Sequence, residues 1–187
     1  MTAPATATSA ETWPAELLFL RDLHPRASWA GNPDLGDLGH FWLHKHAALN
    51  GLAARVGQAG LAWREGAVDS LHFRADFVPA LRQLLGDLEG HHQVEDQHYF
   101  PQFRRIEPRL ARGFDILEGD HGAIHARIVA TVEAARAFLQ APPENADALR
   151  CAAERYVVSC DPLIAGLSRH LTDEEDLVIP LIVARLR

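Results

Sequence analysis

Two residue pairs carry the first chemical signal. His91 and Glu95, and likewise His170 and Glu174, stand four apart, so on a helix each pair presents an imidazole and a carboxylate from one face. Counting back from Pro101 puts Glu95 at −6 and His91 at −10, and counting back from Pro180 puts Glu174 at −6 and His170 at −10. Each pair follows a helical histidine, His46 or His121, at similar separations of 91 − 46 = 45 and 170 − 121 = 49. The chain therefore reads as two helix pairs, each supplying His and then His-x-x-x-Glu. Histidine is the commonest metal ligand, and imidazole with carboxylate suits zinc and iron. A pseudo-twofold of this kind suits a two-metal centre with the carboxylates bridging near its axis. His125 breaks the symmetry, because its counterpart four after His46 is Asn50; one metal would then have three imidazoles and the other two.

Burial makes the case sharper. Apolar residues recur at steps of 3 and 4 along four segments, at about 36–57, 76–106, 111–140 and 146–186, which reads as four helices. Asp76 and Pro79 look like the start of the second, Gly57 and Gly60 like the end of the first, and Pro162 like a kink in the fourth. The link at 58–75 has room for a short helix. His170 and Glu174 fall on the same stripe as Leu163, Leu167, Leu177 and Leu181; His91 and Glu95 fall on that of Leu84 and Leu88; His121 follows Leu117; and His46 lies between Trp42 and Leu49. A buried, unpaired carboxylate or imidazolium costs several kcal/mol. Two carboxylates and five imidazoles cannot satisfy one another by hydrogen bonds, whereas divalent cations neutralise the charge and take up the lone pairs. Around them, His92 matches Leu171 in the repeat and is expected beside the site. His98 and Tyr99 match Leu177 and Val178 and are expected to point inward, where they would contact a bound ligand. His40 and His44 lie on other faces, and His24 and His72 carry no signal. Glu89-x-x-His92 and Glu118-x-x-His121 mimic the ExxH pairs of ferritin-like proteins, but that architecture needs inward carboxylates from the other two helices, and the first helix has none.

The rest of the chain sets the frame. Its 187 residues are enough for one domain with a proper core. Four long helices with short links make an all-α, up-down-up-down four-helix bundle over 34–187. Residues 1–33 form an N-terminal extension, its Ala/Thr-rich first 15 or so disordered and Leu17–Leu23 a short docking helix. The net charge of −7, with a single lysine, Lys45, argues against a nucleic-acid partner. No apolar run reaches the ~20 residues that span a bilayer, and the N-terminus lacks the basic and hydrophobic regions of a signal peptide, so a cytoplasmic location is expected. On one helix Cys151 and Cys160 would face opposite ways about 13 Å apart, too far for a disulfide.

In order along the chain, His46, His91-His92-Gln-Val-Glu95-Asp96 running to Phe100-Pro101, Asp120-His121-Gly-Ala-Ile-His125, and His170-Leu-Thr-Asp-Glu174-Glu175 running to Ile179-Pro180 resemble the hemerythrin-like HHE cation-binding domain. The resemblance covers about residues 36–186. It implies a hemerythrin-like bundle around a non-haem di-iron centre with an oxo or hydroxo bridge. His121, His125 and His170 would sit on one iron and His46 and His91 on the other, with Glu95 and Glu174 across both. The family's oxygen carriers place the last carboxylate five residues after its histidine; here Glu174 is four after His170 and Glu175 five, so both stay open.

Two ferrous ions with two carboxylates and one hydroxide keep about one positive charge on a site rich in neutral imidazole, which favours the II and III states. The expected chemistry is reversible binding or sensing of O2, peroxide, NO or redox state at an open position on the two-histidine iron. A di-iron enzyme that consumes peroxide or reduces O2 is the alternative reading, and a structural bundle with incidental zinc the third. With no output domain expected beyond the bundle, signalling would need a protein partner or a second copy of the chain.

Overall fold

The computed structural model describes residues 13–186. Most of the segment expected to be disordered lies outside them, but Trp13 is buried and Ala15–Leu17 forms a 3-10 turn, so order begins earlier than the Ala/Thr content implies. A short helix α1 (Phe19–Leu23) follows, where a docking helix is expected. The long helices are α2 (Gly36–Arg64), α3 (Ser70–Val94), α5 (Ala111–Gln140) and α6 (Ala146–Arg185). A π turn at Glu95–Tyr99 and α4 (Phe100–Ile106) continue from α3. The architecture is the expected all-helical bundle: α2 packs on α3 and α6, and α5 packs on α6.

Helix boundaries differ from the sequence reading for local reasons. Gly57 and Gly60 do not end α2. A Cβ at Gly60 would come within 3.0 Å of Val157 Cγ1, and one at Gly57 within 3.3 Å of Ile164 Cδ1, so these glycines let α2 approach α6 closely. The helix ends instead before Gly66, whose φ of 73° favours glycine. The cap of α3 is Asp69, whose carboxylate accepts from the Leu71 and His72 amides. Pro79 therefore lies in the helix interior, and no separate helix exists between α2 and α3.

The packing has three layers. One apolar cluster holds Leu49, Leu84, Leu88, Ile124, Leu167 and Leu171, with Phe73, Phe77, Phe138 and Tyr156 towards its far end. A second holds Trp42, Phe100, Phe103, Phe114, Leu117 and Leu177, together with Trp13, Leu17, Leu20 and Trp29 from the N-terminal segment. Each long helix passes from one cluster to the other, and each carries its buried histidine at the crossing: His46 between Trp42 and Leu49, His91 after Leu88, His121 between Leu117 and Ile124, and His170 before Leu177. A polar layer is thus sealed between two hydrophobic ones.

The N-terminal segment is strapped to α6 beside this layer. Arg26 pairs with Glu175, reaches Asp176 at 2.8 Å and donates to the Thr172 carbonyl at 3.1 Å. Its guanidinium lies 4.7 Å from the Trp29 ring centroid. No helix among the described residues is long and apolar enough to cross a membrane.

Candidate metal centre

The ligand-type side chains meet in the polar layer. Nitrogens of His46 and His91 and carboxylate oxygens of Glu95 and Glu174 all lie within 4.8 Å of one another, as do nitrogens of His92, His121 and His170. The carboxylates connect the two groups. Glu174 places Oε1 3.4 Å from His46 Nε2 and Oε2 3.3 Å from His170 Nε2. Glu95 places Oε1 3.1 Å from His91 Nε2 and Oε2 3.6 Å from His121 Nε2. Each carboxylate therefore faces one imidazole in each half, with a different oxygen.

Buried polar atoms are almost always hydrogen-bonded. Here His46 Nε2, His91 Nε2, His92 Nε2, both Glu95 oxygens and Glu174 Oε2 are buried without a hydrogen-bond partner. All six point into the same layer. Imidazole nitrogens and carboxylate oxygens, once freed of their protons, are the donors a divalent cation takes, so these residues fit a metal pair.

The outer nitrogens of three histidines face carboxylates instead. His46 Nδ1 lies 3.3 Å from Glu175 Oε1, His121 Nδ1 2.9 Å from Asp96 Oδ1, and His170 Nδ1 3.8 Å from Asp120 Oδ2. The first two are within hydrogen-bond distance, and such partners select the tautomer that turns Nε2 inward and raise its basicity; His170 Nδ1, at its longer distance, has no hydrogen-bond partner. Trp42 Nε1 donates to Glu174 Oε1 at 2.7 Å. Asp96 lies 25 residues from His121 and Trp42 lies 132 from Glu174, so no local spacing announces these contacts.

Charge is distributed unevenly in the metal-free layer. Burial raises Glu95, and the neighbouring negative charge of Glu174 raises it further, well above the usual carboxylate range. Burial would raise Glu174 too, but His46 and His170 overcome it and hold Glu174 well below that range. Burial works against charge on His46, yet Glu174 and Glu175 more than offset it and lift it to about 9. Burial lowers His91 to about 3 and His92 to about 2, helped by neighbouring histidines. Burial opposes charge on His170 as well, but Asp120 and Glu174 raise it, so the layer favours a neutral Glu95 and an ionised Glu174 with His46 and His170 facing it.

Three expected placements change. His125 is exposed and joins neither group. It is rotated about 40° from His121, but the inward face of α5 runs on the other side, through Leu117 and Ile124, at about −40° and −60°. His92 completes that group instead, stacked on His121 with centroids 3.9 Å apart. His98 is exposed and Tyr99 half-buried, because the π turn adds a residue after Glu95. Phe100 thereby takes the place relative to Glu95 that Val178 takes relative to Glu174, and the repeat slips by one. Proline cannot bond the carbonyl four residues back, and the widened turn lies just ahead of Pro101. Pro180 is carried inside α6 without such a turn, so proline alone does not produce it. Of the two open carboxylates, Glu174 is the one in the layer, with no exposed surface, and Glu175 turns outward to Arg26.

A cavity of about 300 Å³ opens from the surface between α2 and α3 onto this centre. Phe41, Trp42 and Lys45 line it from one side, Gly86, Asp87, Gly90 and Val94 from the other, and Tyr99, His91 and Glu95 at its inner end.

No curated protein and no solved structure matches the chain. A family model does, across residues 37–182, the span that contributes every histidine and glutamate of the polar layer. The chain belongs to the hemerythrin HHE cation-binding domain family.

Proposed function

We propose that the polar layer holds two iron ions and that the protein binds or senses O2, or a related ligand such as NO or peroxide, at this centre. His46 and His91 would hold one ion, His121 and His170 with His92 beside them the other, and Glu95 and Glu174 would span both. The observation that carries this reading is the placement of the carboxylates, each with one oxygen towards a histidine of each half. Iron, when bound, supplies redox chemistry between its II and III states and a coordination position for a small ligand.

The chain's own residues favour reversible chemistry. With two carboxylates among the inward groups, the layer neutralises little of the ions' charge and so stabilises high-valent iron poorly. The apolar layers on both sides restrict solvent to the side on which the cavity opens. The cavity reaches the centre through His91 and Glu95, which gives a small ligand a route to the two-histidine half. Trp42 fixes the orientation of Glu174 by its indole hydrogen bond.

Anaerobic reconstitution tests this directly. About two irons per chain, and a near-ultraviolet charge-transfer band on oxygenation, are the expected results. A protein that takes up only zinc overturns the iron assignment. Peroxide turnover that follows iron content and is lost in His170→Ala would convert the reading from binding to catalysis.

A further inference from the structure

The cavity beside the centre measures about 300 Å³, at the lower end of the range of sites for organic molecules, and it is set apart from the protein's other grooves by the buried groups it reaches. Its walls have the composition of such a site as well. Trp42, Phe41, Val94 and Tyr99 supply apolar and aromatic surface, and the lining polar groups include the buried His91 and Glu95, whose inward atoms lack hydrogen-bond partners.

Two features of the rim bear on what the space can hold. Gly86 and Gly90 stand four apart on α3 and line the cavity. Glycine is a poor helix former, and close packing does not require it here, because a Cβ at either position would meet nothing within 4 Å. Any longer side chain on that face would project into the space. Phe41 and Val94, at opposite rims, are 54% and 46% exposed, an apolar cost at the surface that a bound apolar molecule would cover. The rim charges are one of each sign, Lys45 and Asp87. They give no preference for a charged ligand.

We infer that this cavity is a binding site for a neutral, largely apolar organic molecule, seated between α2 and α3 with an oxygen-bearing end towards His91 and Glu95. The site is formed by protein side chains and backbone, so it exists whether or not iron is bound.

The probe is benzyl alcohol, titrated calorimetrically into the full chain in both metal-free and iron-loaded forms, with the Trp42 indole N–H resonance followed in parallel. Saturable binding that shifts the Trp42 resonance is expected. Gly86→Leu and Gly90→Leu, which fill the space, should each weaken binding at least tenfold. Gly122→Leu is the matched control: an exposed helical glycine whose added Cβ also meets nothing within 4 Å, but on α5 and away from the cavity. It should bind like the parent. Absence of saturable binding, undiminished binding in Gly86→Leu and Gly90→Leu, or equal loss in Gly122→Leu overturns the inference. Circular dichroism of each variant separates loss of the site from loss of the fold. Because the metal-free arm needs no iron, failure here and failure of the di-iron reading are distinguishable.

Discussion

Replacing the two central carboxylates by glutamine, one at a time, should affect the metal-free chain very unequally. Glu174 is ionised there and is wedged between His46 Nε2 at 3.4 Å and His170 Nε2 at 3.3 Å. Glu174→Gln removes that charge and leaves the His46 imidazolium facing an amide. Breaking a buried ion pair by removing one partner costs about 3–5 kcal/mol. The His46 shift from 6.5 to about 9 independently corresponds to about 3 kcal/mol at 1.36 kcal/mol per pH unit. For a chain of this size 1 kcal/mol moves the melting temperature by roughly 2–4 °C, so a drop of roughly 6–20 °C is expected. Glu95, by contrast, is a neutral carboxyl in the metal-free layer, and an amide has nearly its shape and polarity. Glu95→Gln should stay within about 1 kcal/mol of the parent, a few degrees at most.

The variants should converge once metal is added. An ion at a thousandfold excess over its dissociation constant stabilises the folded chain by about 4 kcal/mol. Each glutamine variant has lost a carboxylate spanning the two halves, so neither should gain as much as the parent. Thermal melts followed by circular dichroism at neutral pH, with and without anaerobic ferrous iron, read all four states. Equal losses in the two metal-free variants, or a larger loss in Glu95→Gln, would refute the assignment of one neutral and one ionised carboxyl. Metal stabilisation fully retained in both would refute their role as ligands.

Other consequences follow from the same geometry. Because His46 is held up at about 9 and Glu95 and His170 are raised above their usual ranges, metal uptake at neutral pH should release protons; calorimetric titrations in buffers of different ionisation enthalpy measure this, and a buffer-independent heat contradicts it. In the metal-free chain the raised His46 contributes stability that is complete below about pH 6.5 and disappears as pH rises through about 9. Its melting temperature should therefore fall across that window, and fall less in His46→Leu. Asp96→Asn removes the carboxylate that holds His121 Nδ1 at 2.9 Å and should weaken metal binding roughly 10–100-fold. The surface variant Asp115→Asn should not, and equal effects would argue against an orienting role for Asp96.

The sequence exposed the centre because its strongest pairs are local. His91/Glu95 and His170/Glu174 each lie within one unbroken helical stretch, so a four-residue step and an apolar stripe suffice to place them. The same rule failed where its premise failed. Spacing arguments assume a uniform helical turn, and the π turn at Glu95–Tyr99 breaks that assumption from Glu95 onward. His91 and Glu95 keep their predicted faces, while His98 swings out to solvent and Tyr99 moves to the cavity wall. His125 failed for a different reason. It stands one turn after His121, but the stripe of α5 is centred on Leu117 and Ile124, and a residue at the stripe's outer edge cannot be assigned without knowing how the helix is rotated against its neighbours. Asp96, Asp120, Trp42 and Arg26 were beyond reach altogether, since each acts across helices and depends on their packing. The turn that defeated the repeat is also what makes the α3 half unlike the α6 half. Tyr99 reaches a cavity only because the extra residue sets Phe100, not Tyr99, into the apolar layer, whereas the unbroken α6 buries Leu177 and Val178 side by side. The asymmetry of the repeat thus reaches the cavity wall through Tyr99. Deleting one residue of the turn, such as Gln97, should convert it to an ordinary α-helical turn with Phe100 four residues after Glu95, as Val178 is after Glu174, so that Phe100 stays in the apolar layer and the His91/Glu95 spacing stays intact; an unchanged far-ultraviolet circular dichroism spectrum and melting temperature check this, and loss of the fold contradicts it.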